Sequence, residues 1–301
     1  MAEQSSKLNI FEWDINKFQI DTVTMLVGRR GTGKSTILQE LCYQIRHKID
    51  YVVGFSPTEE VNEDLANIVP RALVYNEMDI PLLDDLIQIQ KKTWKVKDSY
   101  NLLLIFDDCG YDKKKFRNKV IGNLFKNGRH YHITIIFTMQ YAKDIGPDLR
   151  GNIDYLFACQ DSQIKSRDIL HKQFFGQFRK FKDFAFTMDR CTENYECIVS
   201  DGKTSKENKI QNQVFFFKAR LTLRKVRQKN PGYVPKPTDN FLPKFRLGAK
   251  WMWKLNKVRF KEEVFEYPEL PEFRTKKQRK TKNVDITVVQ KHDKRGKKLK
   301  T

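Results

Sequence analysis

The chain has 301 residues, of which 40% are hydrophobic and 31% charged, enough for one core of ordinary size with appendages. The 57 Lys and Arg residues against 37 Asp and Glu residues give a formal net charge of +20, which favours a polyanionic partner such as nucleic acid over an anionic membrane surface. No apolar run approaches the roughly 20 residues that cross a bilayer, and the polar, acidic N-terminus lacks the blocks of a secretory signal, so we expect a protein that is neither membrane-spanning nor secreted.

Short apolar or β-branched runs alternate with longer amphipathic stretches between residues 21 and 160, a pattern typical of βα units on a mostly parallel sheet. The predicted strands span residues 22–27, 51–55, 102–106, 133–138 and 155–158, with a weaker one near 72–74. The predicted helices follow Lys34 and Glu59 and occupy residues 79–91 and 113–126.

The remainder of the chain divides into three parts. Residues 161–220 continue the main domain (1–220), with helices predicted at 162–175 and 178–186 and strands at 195–200 and 213–219. Residues 221–274 form a basic arm that contains prolines and aromatics, which disfavours regular structure. Residues 275–301 hold eleven Lys or Arg against two Asp, so we expect a mobile tail.

The stretch GRRGTGKS, residues 28–35, matches the phosphate-binding pattern G-x-x-x-x-G-K-[ST] at every fixed position. A predicted strand leads into it and a predicted helix leaves it, so backbone N–H groups and the helix dipole would point at an anion. Lys34 would reach the β- and γ-phosphates, and the Ser35 hydroxyl would bind Mg²⁺. The candidate nucleotide-binding residues are Gly28, Arg29, Arg30, Gly31, Thr32, Gly33, Lys34, Ser35 and Thr36.

Two carboxylates follow the apolar run LLLIF at residues 102–106, as in a Walker B strand. We expect Asp107 to hold the Mg²⁺ and Asp108 to orient or deprotonate the attacking water. Many related ATPases use Glu at the second position, and the shorter Asp makes this base assignment less secure. An Asp that caps the next helix would explain one of the two carboxylates but not both.

The apolar strand predicted within HITIIFTMQ (132–140) ends in Thr138 and Gln140. Polar groups there suit a sensor that lies beside the Walker B strand and touches the γ-phosphate or the water. Together the elements predict an α/β fold, a P-loop NTPase of the additional-strand, RecA-like type. We expect a mostly parallel sheet with helices on both faces, plus a basic C-terminal extension.

The chain resembles the genome-packaging ATPases of large DNA viruses, which are poxvirus-like members of the FtsK–HerA group of DNA-pumping motors. The resemblance covers residues 21–160, about half the chain, and rests on five stretches in order: GRRGTGKST, FSPTEEVN, LLLIFDDCGYDKK, NGRHYHITIIFTMQ and DLRGNIDYLFACQ. It implies an Mg²⁺-dependent ATPase that threads double-stranded DNA into a capsid. The implied assembly is a homo-oligomeric ring of five or six subunits in the host cytoplasm, at the viral factory, or in the virion.

Ring motors commonly complete each site with an arginine from the neighbouring subunit, which stabilises charge on the transferred phosphoryl group. By the resemblance, Arg129 in NGRH matches the position of that catalytic arginine. Arg150 and Arg167 are alternatives, and an arginine in such a turn also often pairs with a nearby carboxylate instead.

The motor would take ATP and Mg²⁺ as cofactors and duplex DNA as substrate. Its basic tail would contact DNA, an acidic capsid protein or an inner-membrane protein of the virion.

The same motifs also fit two other functions. A P-loop kinase acting on a small phosphate acceptor is one alternative. A basic DNA-binding virion protein whose nucleotide only switches its conformation is another.

The five cysteines are an odd number spread over a long chain, without the density of a disulfide scaffold. Cys191 and Cys197, with His171 upstream, do not match a common zinc spacing. We therefore expect thiols rather than disulfides or a metal centre.

Overall fold

A computed structural model describes residues 5–45, 48–62, 65, 69, 73–93, 100–111, 113–203, 209–219 and 281–287. Its strands all belong to one sheet. They are β1 Ser5–Glu12, β2 Val23–Val27, β3 Tyr51–Phe55, β4 Val74–Tyr75, β5 Leu102–Phe106, β6 Ile133–Met139, β7 Tyr155–Ala158, β8 Glu196–Asp201, β9 Val214–Lys218 and β10 Thr281–Thr287.

The sheet order is β10-β1-β9-β8-β7-β2-β6-β5-β3-β4. The block from β7 to β4 is parallel, whereas β8 runs antiparallel to both β7 and β9. The expected α/β fold with a mostly parallel sheet is confirmed. Strand β6 lies between β2, which precedes the glycine-rich loop, and β5, which precedes Asp107 and Asp108.

The central strands are buried along their whole length, which explains why their sequences are continuous apolar runs rather than alternating ones. All residues of β2, β3, β5, β6 and β7 are buried. Parallel sheets are covered on both faces, so every residue of a central strand is buried. The strong sequence signal for these five strands follows from that burial.

The helices connect the strands and pack through apolar positions at helical spacing. Ile121, Leu124 and Phe125 of α5 illustrate this pattern, and the Asn118 side chain caps the same helix by accepting from Val120 N. The helices are α1 Lys34–Ile45, α2 Glu59–Asn62, α3 Ile80–Thr93, α4 Lys113–Phe116, α5 Lys119–Asn127, α6 Pro147–Arg150, α7 Ile164–Phe174, α8 Phe181–Cys191 and α9 Ile210–Gln213.

The structure adds two strands that the sequence did not predict. Strand β1 pairs parallel with β9, and β10 pairs antiparallel with β1. Residues 281–287 thus form a strand inside the segment for which we expected a mobile tail. The basic arm at 221–274 and the rest of the tail lie outside the described residues.

An aromatic cluster joins the N-terminal segment to the antiparallel side of the sheet. The Trp13 ring meets Tyr155, Phe157 and Phe217 edge-on at centroid distances of 5.1–5.7 Å. Its indole N–H donates to Asp201 Oδ2 at 3.0 Å. No helix among the described residues is long and apolar enough to cross a membrane.

Candidate functional site

A cleft of about 1150 Å³ opens at the carboxyl ends of the parallel strands. The loop after β2 forms its floor, and residues that follow β3, β5 and β6 form one wall. In open α/β sheets, ligands bind at this edge beside the strand where the connections change direction. Here that strand is β2, because the chain runs from β2 to one side and returns to place β7 on the other.

The glycines of the P-loop have separate structural reasons. Gly31 and Gly33 have φ angles of +79° and +99°, which L side chains rarely adopt. A Cβ on Gly28 would lie 2.6 Å from Cys159 Cβ and 2.7 Å from Thr32 Oγ1, so only glycine fits there. The loop is also tied to the sheet, since Gly28 N donates to Met139 O at 3.1 Å.

Lys34 begins helix α1 and lines the cleft together with Ser35 and Thr36. Its ammonium group donates to Gly28 O at 2.7 Å and to Arg29 O at 3.1 Å. A lysine ammonium has three N–H donors, so one remains for a ligand in the cleft. The N-terminal N–H groups of α1 add their dipole at the same point.

Asp107 and Asp108 directly follow β5 and line the same cleft as Lys34. Asp107 is only 8% exposed. The buried Thr138 hydroxyl joins the two residues, because it donates to Asp107 Oδ1 at 2.7 Å and accepts from Asp108 N at 2.9 Å. One hydroxyl from β6 therefore sets the position of both carboxylate-bearing residues.

Asp108 is further held by Gln140, whose amide Nε2 donates to Asp108 Oδ2 at 2.7 Å. The Asp108 backbone has φ +51°, a left-handed conformation that costs a non-glycine residue about 1–3 kcal/mol. Such strain concentrates at functional sites, where the surrounding contacts enforce it. The two carboxylates thus end in different surroundings, one buried against Thr138 and the other held at the cleft by an amide.

The chemistry of this donor set fits Mg²⁺. Mg²⁺ prefers oxygen ligands and usually takes one or two protein oxygens together with substrate phosphates and water. The Ser35 hydroxyl and the Asp107 carboxylate belong to residues that line the same cleft, and these are the oxygen types that Mg²⁺ requires.

None of the three candidate arginines is among the residues that line the cleft. Arg129 is exposed in the turn at Gly128–Tyr131, just before the amino end of β6. The length of β6, about 20 Å at 3.3 Å per residue, separates that turn from the cleft. Within the described residues Arg129 forms no ion pair.

The other two arginines have partners within the chain. Arg150 Nε donates to Ile145 O at 3.0 Å. Arg167 forms an ion pair with Asp189 at 2.6 Å and also donates to Asp161 O. Arg167 therefore has the carboxylate partner that is the ordinary alternative to a catalytic role.

The segment after β3 also contributes to the cleft. Thr58 and Pro57 line the cleft, with Thr58 Oγ1 3.4 Å from Ser56 Oγ. The Glu59 carboxylate instead accepts from Leu65 N at 3.0 Å.

The second wall of the cleft consists of residues that were not predicted from the sequence. Asn194 and Tyr195, before β8, line it together with Lys218 and Ala219 at the end of β9. Asn194 and Tyr195 are consecutive non-glycine residues with φ of +54° and +62°. No motif marks such residues, and the one available signal was the ENY turn between a helix and a strand.

All five cysteines are buried thiols. Burial raises the pKa of Cys159 to about 11, although Thr32 and Lys34 lower it in part. Burial also raises the pKa values of Cys42, Cys109 and Cys197 well above the ordinary thiol value. Cys159 thus packs beneath Gly28 as a neutral group.

Comparison with known proteins gives one family match. The profile of the family described as Poxvirus A32 protein matches residues 12–215. An uncharacterised protein of Acanthamoeba polyphaga mimivirus is 33% identical over 225 residues, which cover 71% of this chain and 78% of that protein. A protein of Frog virus 3 (isolate Goorha) is 30% identical over 207 residues, 66% of this chain and 62% of that protein.

Among solved structures, the genome packaging NTPase of Sulfolobus turreted icosahedral virus 2 in complex with ATP-gammaS is similar at a TM-score of 0.49. The identity is 18%, and the match covers 68% of this chain and 100% of that chain. The pCW3 conjugation coupling protein TcpA is similar at a TM-score of 0.49 and 16% identity, over 72% of this chain and 66% of that chain.

Proposed function

This chain belongs to the Poxvirus A32 protein family, and from that premise we propose that it is an Mg²⁺-dependent ATPase that moves double-stranded DNA into a viral capsid. The observation that carries the proposal is that two separate elements line one cleft. Lys34 and Ser35 come from the loop and helix after β2, and Asp107 and Asp108 come from the end of β5. A nucleoside triphosphate and its metal ion need both the phosphate-binding residues and the carboxylates.

The residues have distinct roles in the proposed hydrolysis. Lys34 and the loop N–H groups bind the β- and γ-phosphates, while Ser35 and Asp107 would hold Mg²⁺. When bound, the metal neutralises charge on the phosphate oxygens. Asp108 orients the attacking water or accepts its proton, and Gln140 keeps the Asp108 carboxylate at the cleft through their 2.7 Å hydrogen bond.

We propose Arg129 as the group that completes the site of a neighbouring subunit. It is exposed, and it lies too far from the cleft of its own chain to reach it. A cation delivered to the transferred phosphoryl group is worth about 10³–10⁵ in rate where GTPases use one. The proposal therefore includes a head-to-tail ring of five or six identical subunits.

The charge of the chain supports a DNA substrate. A motor that pumps DNA must grip any sequence, so contacts from Lys and Arg to phosphates serve better than contacts to bases. The net charge of +20 supplies such groups. A capsid or inner-membrane protein of the virion is the docking partner, and the viral factory in the host cytoplasm or the virion is the place of action.

One assay tests the enzyme and separates it from the alternatives. ATP hydrolysis is measured with and without long duplex DNA, at low salt because phosphate contacts weaken steeply with salt. We expect DNA-stimulated hydrolysis that Lys34→Ala and Asp107→Asn abolish without unfolding the protein. Transfer to a small acceptor without DNA stimulation would indicate a kinase, and salt-sensitive DNA binding without turnover would indicate a switch.

Mixing two inactive variants tests the ring. Lys34→Ala removes the phosphate grip and keeps Arg129, whereas Arg129→Ala does the reverse. In a ring of equal amounts, about one interface in four joins an intact Lys34 to an intact Arg129, so we expect activity to return on mixing. Persistent inactivity, or a monomeric mass in the presence of nucleotide, would contradict catalysis in trans.

A further inference from the structure

The turn before β8 presents a large aromatic ring to the cleft. Tyr195 is 71% exposed, although aromatic residues such as Tyr51 and Tyr155 are fully buried in this chain. A Cβ placed on Gly33 would lie 3.8 Å from both Cβ and Cδ1 of Tyr195. The ring therefore stands in van der Waals reach of the P-loop without a side chain between them.

The backbone around the ring is strained in a way that favours a ligand contact over a packing role. Asn194 (φ +54°, ψ +45°) and Tyr195 (φ +62°) are both left-handed. An exposed ring buries little surface that would offset this strain. Strained positions of this kind cluster at ligand-binding sites.

The position of Tyr195 in the sheet fixes which end of a nucleotide it can meet. Asp108 and Gln140 follow β5 and β6, on one side of the P-loop strand β2, whereas Tyr195 precedes β8, on the other side beyond β7. The reacting phosphate must face Asp108 and Gln140. A triphosphate that crosses the P-loop in that direction carries its nucleoside toward Tyr195.

A small residue lies next to Tyr195 on the wall of the cleft. Glu196 pairs with Lys218 in the β8–β9 ladder, so one step further along this register Tyr195 stands beside Ala219. Both residues line the cleft. The small side chain of Ala219 leaves space next to the tyrosine face.

We propose that Tyr195 stacks on the base of a nucleoside triphosphate and so makes the Asn194–Tyr195 turn the base-binding part of the cleft. The inference rests on the proposed function and adds the substrate class. A stacked ring contacts the π face of a base and not its hydrogen-bonding edge. The contact selects nucleotides over bare polyphosphate and does not distinguish ATP from GTP.

Equilibrium binding to full-length protein tests this inference, with Mg²⁺ present and three probes: ATPγS, GTPγS and inorganic tripolyphosphate. Stacking on an aromatic ring corresponds to about a 5- to 150-fold loss on substitution by alanine. We therefore expect Tyr195→Ala to weaken both nucleotides by such a factor and to leave tripolyphosphate unchanged. Tyr195→Phe keeps the ring and keeps affinity within about twofold.

Two further variants serve as a control and as a direct probe of stacking. Phe186→Ala removes another exposed ring, 41% accessible and outside the cleft, and we expect wild-type affinity for all three probes. Tyr195→Trp reports stacking directly, because the substitution introduces an indole ring whose fluorescence is quenched by a stacked nucleotide base and not by tripolyphosphate.

The outcomes separate this inference from the proposed motor. Equal affinities in Tyr195→Ala and wild type, or a parallel loss of tripolyphosphate binding, overturn the stacking contact. A loss for ATPγS alone shows that the base edge is read and overturns it as well. If the expected binding pattern appears but no DNA-stimulated hydrolysis does, the base site stands and the motor fails.

Discussion

Replacing Thr138 by valine isolates the hydroxyl that organises the proposed catalytic side of the cleft. Thr138 is 1% exposed, and its Oγ1 bonds Asp107 Oδ1 at 2.7 Å and Asp108 N at 2.9 Å. Valine has nearly the same shape, so the change removes both hydrogen bonds without opening a cavity. Asp107 and Asp108 then lose the group that sets their separation.

The chain offers a matched control four residues earlier on the same face of the same strand. Thr134 is fully buried, and its Oγ1 accepts a single bond from Asp21 N at 2.8 Å, far from the cleft. A hydrogen bond to a charged group contributes about 1.5–3 kcal/mol and a neutral one about 0.5–1.5 kcal/mol. Thr138→Val loses one bond of each kind, so we expect its unfolding free energy to fall by about 2–4.5 kcal/mol, whereas Thr134→Val loses one neutral bond and should fall by about 0.5–1.5 kcal/mol.

The two variants differ more sharply in activity. Misplacing reacting groups by about 1 Å costs on the order of 10²-fold in rate, so Thr138→Val lowers kcat for ATP hydrolysis by about that factor. Thr134→Val keeps kcat within about twofold per folded molecule, since no cleft residue contacts its hydroxyl. Denaturant unfolding and steady-state hydrolysis, measured on both proteins, check this. Equal kcat values in the two variants would refute the role assigned to Thr138.

Two further predictions concern the floor of the cleft. Gly28→Ala forces a Cβ to within 2.6 Å of Cys159 Cβ and should destabilise the protein by about 1–3 kcal/mol. The control Gly122→Ala lies inside α5 with nothing within 4 Å of its added Cβ, so it should stabilise the protein by up to about 1 kcal/mol. Unfolding curves that rank the two variants in the opposite order would contradict the close packing at Gly28. Burial raises the pKa of Cys159 to about 11, so its reactive thiolate is scarce at pH 8 and should increase about tenfold per pH unit below that pKa. Alkylation of Cys159, followed by mass spectrometry, should be slow in the folded protein and fast after denaturation, and rapid labelling of the folded protein at pH 7 would show that the thiol is accessible.

Much of the fold could be predicted from local sequence pattern, because the central strands are buried on both faces. The predictions at 102–106 and 155–158 coincide with β5 and β7, and that at 51–55 coincides with β3. The helix predicted over 113–126 is divided in the structure into α4 and α5, where Asn118 caps the second part. A capping residue inside an amphipathic stretch is a local break that periodicity alone does not reveal.

The edges of the sheet were harder to predict. Strand β1 was missed, and β10 lies in a segment whose Lys and Arg content favours a mobile tail. Edge strands owe their structure to a partner strand and not to their own burial. The pairing of β1 with β9 and β10 therefore depends on contacts between residues more than 200 positions apart.

The sequence by itself located the glycine-rich motif at residues 28–35 and the two consecutive carboxylates at 107 and 108, since each is a contiguous stretch that local pattern reveals. The tertiary structure decided which residues share the cleft. Thr138 joins Asp107 to Asp108 because β6 lies beside β5, and Tyr195 reaches Gly33 because β8 packs next to β7. The physical reason is that strand order places side chains together across long sequence separations, and strand order results from the burial of the whole sheet, which no short stretch of residues encodes.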